Sequence, residues 1–339
     1  MNGSALFRRI LPQLLTLAAV LAMVAMVFPG FFEISIATGR LYGSPVDILN
    51  RGAPVALLAI GMTLVIATRG IDLSVGAVMA ISGAVAAASI TSGHSVFIAI
   101  LLALGAGLLC GLWNGILVAI LKIQPIVATL ILMVAGRGIA QLITEGAILT
   151  FNDPALSAVG SGTLATVPIP ILIWFGMALL ATFIVRRSAL GMLIEAVGIN
   201  LRASVLAGLN TRILLISVYM VSGLCAAIAG VIVTADINGA DANNAGLWLE
   251  LDAILAVVIG GNSLLGGRFS IVASLIGAMV IQSVNTGILL SGFPPEFNLI
   301  IKAAIILVIL VLQSPRIRDA VPSLRLLFRR HPQSKEATE

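Results

Sequence analysis

Long apolar runs separated by short polar stretches fill this sequence from about residue 12 to residue 313. A helix that crosses the hydrocarbon core of a bilayer needs about 20 mostly apolar residues. The stretches that approach this length are 12–32, 53–69, 71–90, 96–121, 123–145, 168–185, 213–235, 252–266, 268–290 and 297–313. The pattern therefore predicts an all-α integral membrane protein, a polytopic bundle of about ten transmembrane helices.

Two of these stretches, 71–90 and 252–266, are weaker than the others. Each is short or rich in glycine, and each opens on an acidic residue, Asp72 or Asp252. Irregular backbone is tolerated at membrane depth only where it is buried in protein or lines a cavity. We therefore predict broken or re-entrant helices at both places, packed inside the bundle.

Lysine and arginine are distributed unevenly over the predicted loops, which indicates the orientation of the chain. With the N-terminus inside, the outer loops contain only Arg40 and Arg51. The inner side then contains Arg8, Arg9, Arg69, Lys122, Arg186, Arg187, Arg202, Arg212, Arg268, Arg316, Arg318, Arg325, Arg329, Arg330 and Lys335. Because cytoplasmic loops carry the excess of basic residues, both termini are predicted inside. The chain divides into a cytoplasmic segment (1–11), a transmembrane domain (12–313) and a basic cytoplasmic tail (314–339).

The composition agrees with this reading and excludes others. Hydrophobic residues make up 60% of the chain and charged residues 10%, whereas a soluble domain carries roughly 25% charged residues. The net charge of +5 would suit a nucleic-acid-binding protein. The basic residues lie in short loops and tails, however, where the positive-inside bias alone accounts for them. We therefore predict a lipid bilayer as the environment and no nucleic-acid partner.

One predicted cytoplasmic stretch, residues 186–212, is longer than a turn between two spans requires. We call it the 186–212 loop. Its length and its basic ends suggest that a partner on the cytoplasmic side holds it. Apolar residues from Met192 to Val197 recur at helical spacing, which predicts a short helix with an apolar face. Gly198 can end this helix in a left-handed conformation.

No constellation of catalytic residues is visible. The two histidines, His94 and His331, have no Cys, Asp or Glu at metal-ligand spacing, so we predict no metal site. No glycine-rich phosphate loop with a following lysine occurs, so the chain is predicted not to hydrolyse ATP. We therefore predict no catalytic residues and no cofactor bound by this chain, which disfavours an integral membrane enzyme.

Several polar residues lie within or at the ends of predicted spans. Arg137 is clearly intramembrane and is a functional candidate by default; the alternative is an ion pair or an anchor to backbone carbonyls. Asp72 is predicted to cap a helix N-terminus or to pair with Arg69. The uncharged residues Asn114, Gln141, Gln282 and Asn285 either bond a passing solute or hold helices together.

From this set we predict a translocation pathway. Its candidate residues are Asp72, Asn114, Arg137, Gln141 and Asn285. A secondary transporter driven by an ion gradient is the alternative function. Such proteins often carry ionisable relays in their spans, and Arg137 is the one clear case in this sequence.

Three motifs carry a resemblance to a known family. They are GMTLVIATRGIDLSVGAVMAISG (61–83), EAVGINLRASVLAGLN (195–210) and LDAILAVVIGGNSLLGG (251–267). In this order they resemble permease subunits of bacterial ATP-binding-cassette importers for ribose, xylose and galactose. Other stretches look most similar to the permeases of galactofuranose importers. The chain departs from the family at Arg69, where glycine is usual, and from the galactofuranose type at Asn238, where arginine is expected.

The resemblance implies an importer subunit that moves a sugar, galactofuranose or a related monosaccharide, across the bacterial inner membrane by alternating access. The implied partners are a cytoplasmic ATPase that binds ATP and Mg²⁺, a periplasmic sugar-binding protein and a second permease subunit, in a homodimer or a heterodimer of paralogues. In this family the 186–212 loop presents a short helix to the ATPase. The residues carried over to that coupling role are Glu195, Ala196, Gly198, Asn200, Arg202 and Gly208.

Overall fold

The computed structural model describes residues 3–37, 39–292 and 296–313, which are mostly helical. The predicted tail, 314–339, lies outside these ranges. The helices are α1 (Gly3–Val27), α2 (Ser44–Arg51), α3 (Ala53–Ala67), α4 (Val75–Thr91), α5 (Val96–Ala119), α6 (Pro125–Ile143), α7 (Pro154–Ser161), α8 (Ile169–Arg187), α9 (Leu190–Ile199), α10 (Leu201–Leu206), α11 (Thr211–Asp236), α12 (Leu249–Ile259), α13 (Ile271–Leu290) and α14 (Glu296–Gln313).

Short strands connect some of the loops in antiparallel pairs. The strands are β1 (Ser35–Ala37), β2 (Arg40–Tyr42), β3 (Ile148–Thr150), β4 (Thr163–Leu164), β5 (Val167–Pro168) and β6 (Gly239–Asp241). β1 pairs with β2 and β4 with β5. β3 pairs with β6, with Leu149 opposite Ala240, so the loop after α6 is tied to the loop after α11.

The helices are those of a polytopic, mostly helical membrane protein, as predicted. Six of those described are long and apolar enough to cross a bilayer, namely α1, α5, α6, α8, α11 and α13. The pair α2 and α3, bent by 46°, adds a seventh if it is one span. The predicted span 71–90 corresponds to the shorter α4. The prediction for 252–266 was wrong in its bounds, because α12 begins at Leu249 and ends at Ile259.

Helix α3 is the centre of the bundle. Fourteen of its residues are buried, and its sequence is apolar around the whole circumference, as expected for a helix with neighbours on every side. It packs against α8, α11, α12 and α13. Its end at Ala67 is followed by an irregular segment, residues 68–74, which we call the central break.

Small residues bring α5 and α11 into backbone contact. A Cβ at Gly107 would lie 2.6 Å from the carbonyl oxygen of Gly223, and a Cβ at Gly223 would lie 2.2 Å from that of Gly107. Where lipid removes the hydrophobic drive between helices, such close packing is a main source of association. α11 is therefore fixed firmly against α5, and it also packs along α3 and α4.

The two short helices α4 and α12 meet at their first turns. A Cβ at Gly76 would lie 2.4 Å from the carbonyl oxygen of Gly246 and 2.6 Å from Oε2 of Glu250. From this point α4 runs along α11, with Gly83 against Thr234. α12 runs the other way, and its end packs against the first turn of α13. The positive ends of both helix dipoles therefore face one buried region.

Candidate transport pathway and the 186–212 loop

A buried polar network occupies the central break. The Asp72 carboxylate accepts hydrogen bonds from the Ser74 backbone N–H (3.1 Å), the Ser74 hydroxyl (2.6 Å) and, on its other oxygen, the Ser222 hydroxyl (2.8 Å). The Asn114 amide donates to the Ser74 hydroxyl oxygen at 2.8 Å. Asp72 is 1% exposed. The network thus joins the break to α5 and α11 through side chains that have little access to solvent.

Two expectations for Asp72 need correction. Its carboxylate accepts the N–H of Ser74, the residue before α4, rather than those of the first helical turn. Arg69 does not pair with it. The Arg69 guanidinium instead donates to the carbonyl oxygens of Leu265 (2.9 Å) and Ile199 (2.7 Å). The reason is geometric: Arg69 lies in the turn that ends α3, with a φ of 66°, and its side chain extends towards the end of α9.

A second candidate site is a cavity of about 370 Å³. It is lined by α4, α6, the segment before α12 and the first turn of α12, with Arg137, Gln141 and Glu250 as its polar walls. Arg137 also donates to the carbonyl oxygens of Ala242 (3.0 Å) and Ala245 (2.6 Å). The guanidinium therefore holds the loop before α12 against α6 while it lines the cavity.

The other predicted pathway residues are distributed over the two sites and beyond them. Asn114 belongs to the Asp72 network, whereas Gln141 lies at the cavity and donates to Asn243 Oδ1 at 2.7 Å. Asn285 is on α13 and is not among the residues that line the cavity. Its buried Oδ1 has no hydrogen-bond partner within the described ranges. The structure thus brings the predicted residues together in two groups and leaves Asn285 separate.

Asp241 begins a turn near the cavity and outside the helices. The Asn244 side chain donates to its carboxylate at 2.8 Å, and the backbone N–H groups of Asn244 and Asn243 donate at 3.1 and 3.0 Å. These hydrogen bonds hold the pKa of Asp241 below its ordinary value of 3.8. The turn keeps the loop that Arg137 contacts in a defined shape.

Within the 186–212 loop, α9 and α10 form a helical pair. Asn200 caps α10, because its side-chain oxygen accepts the Ala203 N–H at 3.0 Å. Gly208, with φ of 84°, follows α10 in the left-handed conformation that favours glycine after a helix. Asn200 and Gly208 therefore shape the loop, whichever partner it meets.

The prediction that Gly198 ends the helix in a left-handed conformation was wrong. α9 continues through Gly198 to Ile199, and Asn200 follows in an extended conformation. A Cβ at Gly198 would lie 1.8 Å from the carbonyl oxygen of Ala67. The glycine is required because α9 lies directly on the end of α3.

Large apolar side chains on this loop are exposed. Leu206 is 88% and Met192 73% exposed, and Ile199, Leu201 and Val205 are also exposed. The opposite side of α9, with Ile194 and Val197, is buried. Glu195 is half-buried, and its carboxylate takes no part in the ion pair found among the residues described. Arg202 is exposed, and Ala196 is half-buried. The loop thus buries one apolar side and presents a second one outward.

Sequence reasoning missed two acidic residues of α12. Glu250 lies over the first turn of α4 and lines the cavity. Asp252 accepts hydrogen bonds from Lys302 of α14 at 2.8 and 2.9 Å, the one ion pair found among residues 3–37, 39–292 and 296–313. In the sequence, both residues were visible only as the acidic start of a weak predicted span. The groups that they contact, in α4 and α14, are far from them in sequence and could not be predicted.

A family model described as branched-chain amino acid transport system, permease component, matches residues 44–310. The chain belongs to this family. It is 63% identical to the galactofuranose transporter permease protein YtfT of Escherichia coli K12, over 93% of this chain and 92% of that protein. It is 42% identical to the fructose import permease protein FruF of Bifidobacterium longum, over 85% and 82%. No solved structure matches the chain.

The ribose import permease protein RbsC of Escherichia coli K12 is 36% identical, over 90% of this chain and 93% of that protein. The predicted resemblance to sugar-importer permeases is therefore confirmed. Because the matching proteins are permease components, this chain is a transport subunit and not an enzyme.

Proposed function

We propose that this chain is the membrane-spanning permease subunit of an ATP-driven importer in the bacterial inner membrane, and that its substrate is galactofuranose or a related monosaccharide. The sugar class is supported by the names of relatives that match most of the chain, above all the 63% identical galactofuranose permease. The distribution of lysine and arginine supports ten spans with both termini in the cytoplasm. The segments 1–11, 12–313 and 314–339 remain the proposed divisions of the chain.

The coupling role of the 186–212 loop rests on one observation above all. In the proposed orientation the loop is cytoplasmic, yet it exposes Met192, Val205 and Leu206. Exposed apolar groups that cluster in this way mark interaction surfaces. We assign this surface to a partner ATPase, with Glu195, Ala196 and Arg202 at its edge, while Gly198, Asn200 and Gly208 position it.

The proposed pathway uses the two polar sites. The cavity walls Arg137, Gln141 and Glu250 offer donors and acceptors to sugar hydroxyls, and Asp72 with Asn114 forms the closed network between helices. Aromatic residues are only 5% of the chain, so stacking on rings contributes little to sugar binding. A periplasmic binding protein accordingly provides selectivity, and a second permease subunit completes the pathway.

Reconstitution into proteoliposomes tests the proposal. The chain is combined with the candidate ATPase, binding protein and second permease, and uptake of radiolabelled galactofuranose is followed with and without ATP. We expect uptake that needs every component and ATP, and that continues in the presence of an ionophore. Ionophore-sensitive uptake by this chain alone would establish the secondary transporter instead.

Ribose and fructose serve as matched substrates in the same vesicles. Uptake of either one at the galactofuranose rate, with the same binding protein, would contradict the proposed sugar while leaving the importer class intact.

A further inference from the structure

The loop between α12 and α13, residues 260–270, is rigid at its base and exposed at its tip. Asn262 is buried, accepts the Ser270 N–H at 2.7 Å and donates to the Ser274 hydroxyl at 2.8 Å. At the tip, Leu265 is 79% exposed and its neighbour Leu264 is also exposed. A loop held in this way presents two leucines in a fixed position rather than burying them.

This tip lies against the end of α9. The Gly267 N–H donates to the carbonyl oxygen of Ala67 at 2.9 Å, the same oxygen that Gly198 of α9 approaches. A Cβ at Gly267 would also lie 3.2 Å from Cγ1 of Ile199. The exposed leucines of the α12–α13 loop are therefore continuous with the exposed apolar surface of the 186–212 loop.

Arg69 joins the two surfaces. Its side chain donates to Leu265 O at 2.9 Å and to Ile199 O at 2.7 Å, and its backbone has a φ of 66°, a conformation that disfavours residues with a Cβ. Asp72 of the buried network follows three residues later. One side chain thus connects the tip of the α12–α13 loop, the end of α9 and the central break.

We infer that the tip of the α12–α13 loop, with Leu264 and Leu265, is a second contact for the ATPase, and that Arg69 positions it beside the first. This inference rests on the proposed function, because the ATPase is the occupant of the neighbouring surface. The surface of the ATPase that fits this tip is an apolar hollow that receives the two leucines. Acidic residues lie near its edge, because the exposed Arg268 follows the leucines. Movement of the ATPase would then be transmitted to the central break through two contacts, the 186–212 loop and the tip of the α12–α13 loop.

Site-specific photo-crosslinking in the reconstituted importer tests the contact. A photo-reactive phenylalanine analogue is placed at Leu265, at Leu206 or, as a matched control, at Leu164 of β4, which is 64% exposed and precedes α8, whereas α9 follows the other end of that helix. We expect adducts with the ATPase subunit from Leu265 and Leu206 and none from Leu164. An adduct from Leu206 alone, or lipid adducts alone from Leu265, would overturn the second contact and leave the proposed function standing. Loss of both adducts together with loss of ATP-dependent uptake would overturn the two proposals.

The positioning role of Arg69 is tested with Arg69→Gly, because glycine accepts the φ of this position and keeps the backbone intact. We expect normal insertion and ATPase recruitment, with sugar transported per ATP hydrolysed lowered about fivefold, the lower end of a typical coupling effect. Arg69→Lys, which keeps one donor group, should recover part of this ratio. An unchanged ratio in Arg69→Gly would overturn the positioning role.

Discussion

The central break is polar within an apolar bundle, whereas the 186–212 loop exposes apolar side chains in a segment that is rich in charge. In the middle of an apolar bundle, the break buries Asp72, Ser74 and Asn114 in one hydrogen-bonded network. On the loop between α8 and α11, which is rich in charge, Leu206 and Met192 are exposed. Each region is unfavourable for its own environment, because buried polar groups need partners and exposed apolar groups lose the gain of burial.

The two regions differ in where their side chains find contacts. In the break, the Asp72 carboxylate and the Ser74 hydroxyl have their hydrogen-bond partners within the chain, and these hydrogen bonds join α4, α5 and α11. The loop has its support on one side only, where Gly198 packs on Ala67, and its other side lacks a cover. The hydrogen bonds of the break hold helices of this chain together, whereas the exposed side of the loop is the surface that we propose to bind the ATPase.

The largest effect is expected for Asp72→Ala. Its removal leaves the Ser74 hydroxyl, the Ser74 N–H and the Ser222 hydroxyl without their acceptor, and each buried donor left unsatisfied costs about 1–3 kcal/mol. We expect a loss of about 4 kcal/mol in the free energy of unfolding, measured in mixed micelles. Ser222→Ala removes one donor only and should lose about 1.5 kcal/mol. Equal losses in the two variants would contradict a network centred on Asp72.

The next effect is expected for Gly198→Ala. The added methyl would lie 1.8 Å from the Ala67 carbonyl oxygen, so α9 must move off the end of α3. Overpacking of this kind costs about 3 kcal/mol, and thermal unfolding of the purified protein measures it. Gly176→Ala is the control, because the space around Gly176 is open. Similar unfolding temperatures for the two variants would show that α9 is not fixed on α3.

A smaller effect is expected for Leu206→Asp, which should weaken binding of the ATPase and leave the stability of the fold nearly unchanged. The side chain is exposed, so unfolding should shift by less than about 0.5 kcal/mol. Binding of the ATPase should weaken roughly tenfold or more, because an apolar anchor at an interface is worth about 2 kcal/mol. Leu164→Asp should leave both quantities unchanged. A stability loss without a change in ATPase affinity would place Leu206 in the fold rather than at the interface.

The smallest effect is expected for Asp241, a half-buried carboxylate outside the helices. The hydrogen bonds of Asn244 and Asn243 depress the pKa of Asp241, so its stabilising contribution is complete above the ordinary value of 3.8 and is lost as pH falls through the lower folded pKa. Asp241→Asn should therefore lower the unfolding temperature slightly at pH 7, and this difference should shrink as the pH falls below 3.8. A difference that persists unchanged at low pH would refute this role for the carboxylate.

Much of the helical framework was predictable from the apolar runs. The predicted span 96–121 corresponds to α5 (Val96–Ala119) and the predicted span 268–290 to α13 (Ile271–Leu290), because uninterrupted apolar residues need internal backbone hydrogen bonds in a bilayer. The weak runs at 71–90 and 252–266 correspond to two short helices, α4 (Val75–Thr91) and α12 (Leu249–Ile259), and that either is a broken or re-entrant span stays a prediction. The number of ten spans and their orientation are still predictions.

The side-chain partners were not predictable in the same way. Arg69 lies three residues from Asp72 in sequence, yet it contacts Leu265 and Ile199, because the turn at the end of α3 directs it away. Lys302 and Asp252 are fifty residues apart and form an ion pair. Local spacing predicts contacts within a helix, whereas these contacts depend on how distant helices pack.

The meeting of α4 and α12 at their first turns has a consequence for the way the chain is synthesised. Translation delivers α4 to the membrane long before Gly246 and Glu250 exist, and these are the groups that cover its first turn. Until α11 and α12 are synthesised, α4 is a short helix that begins beside the uncovered carboxylate of Asp72. Neither the short helix nor the carboxylate is stable in lipid. The final placement of α4 therefore waits for the synthesis of α11 and α12, although α4 itself lies in the first third of the chain.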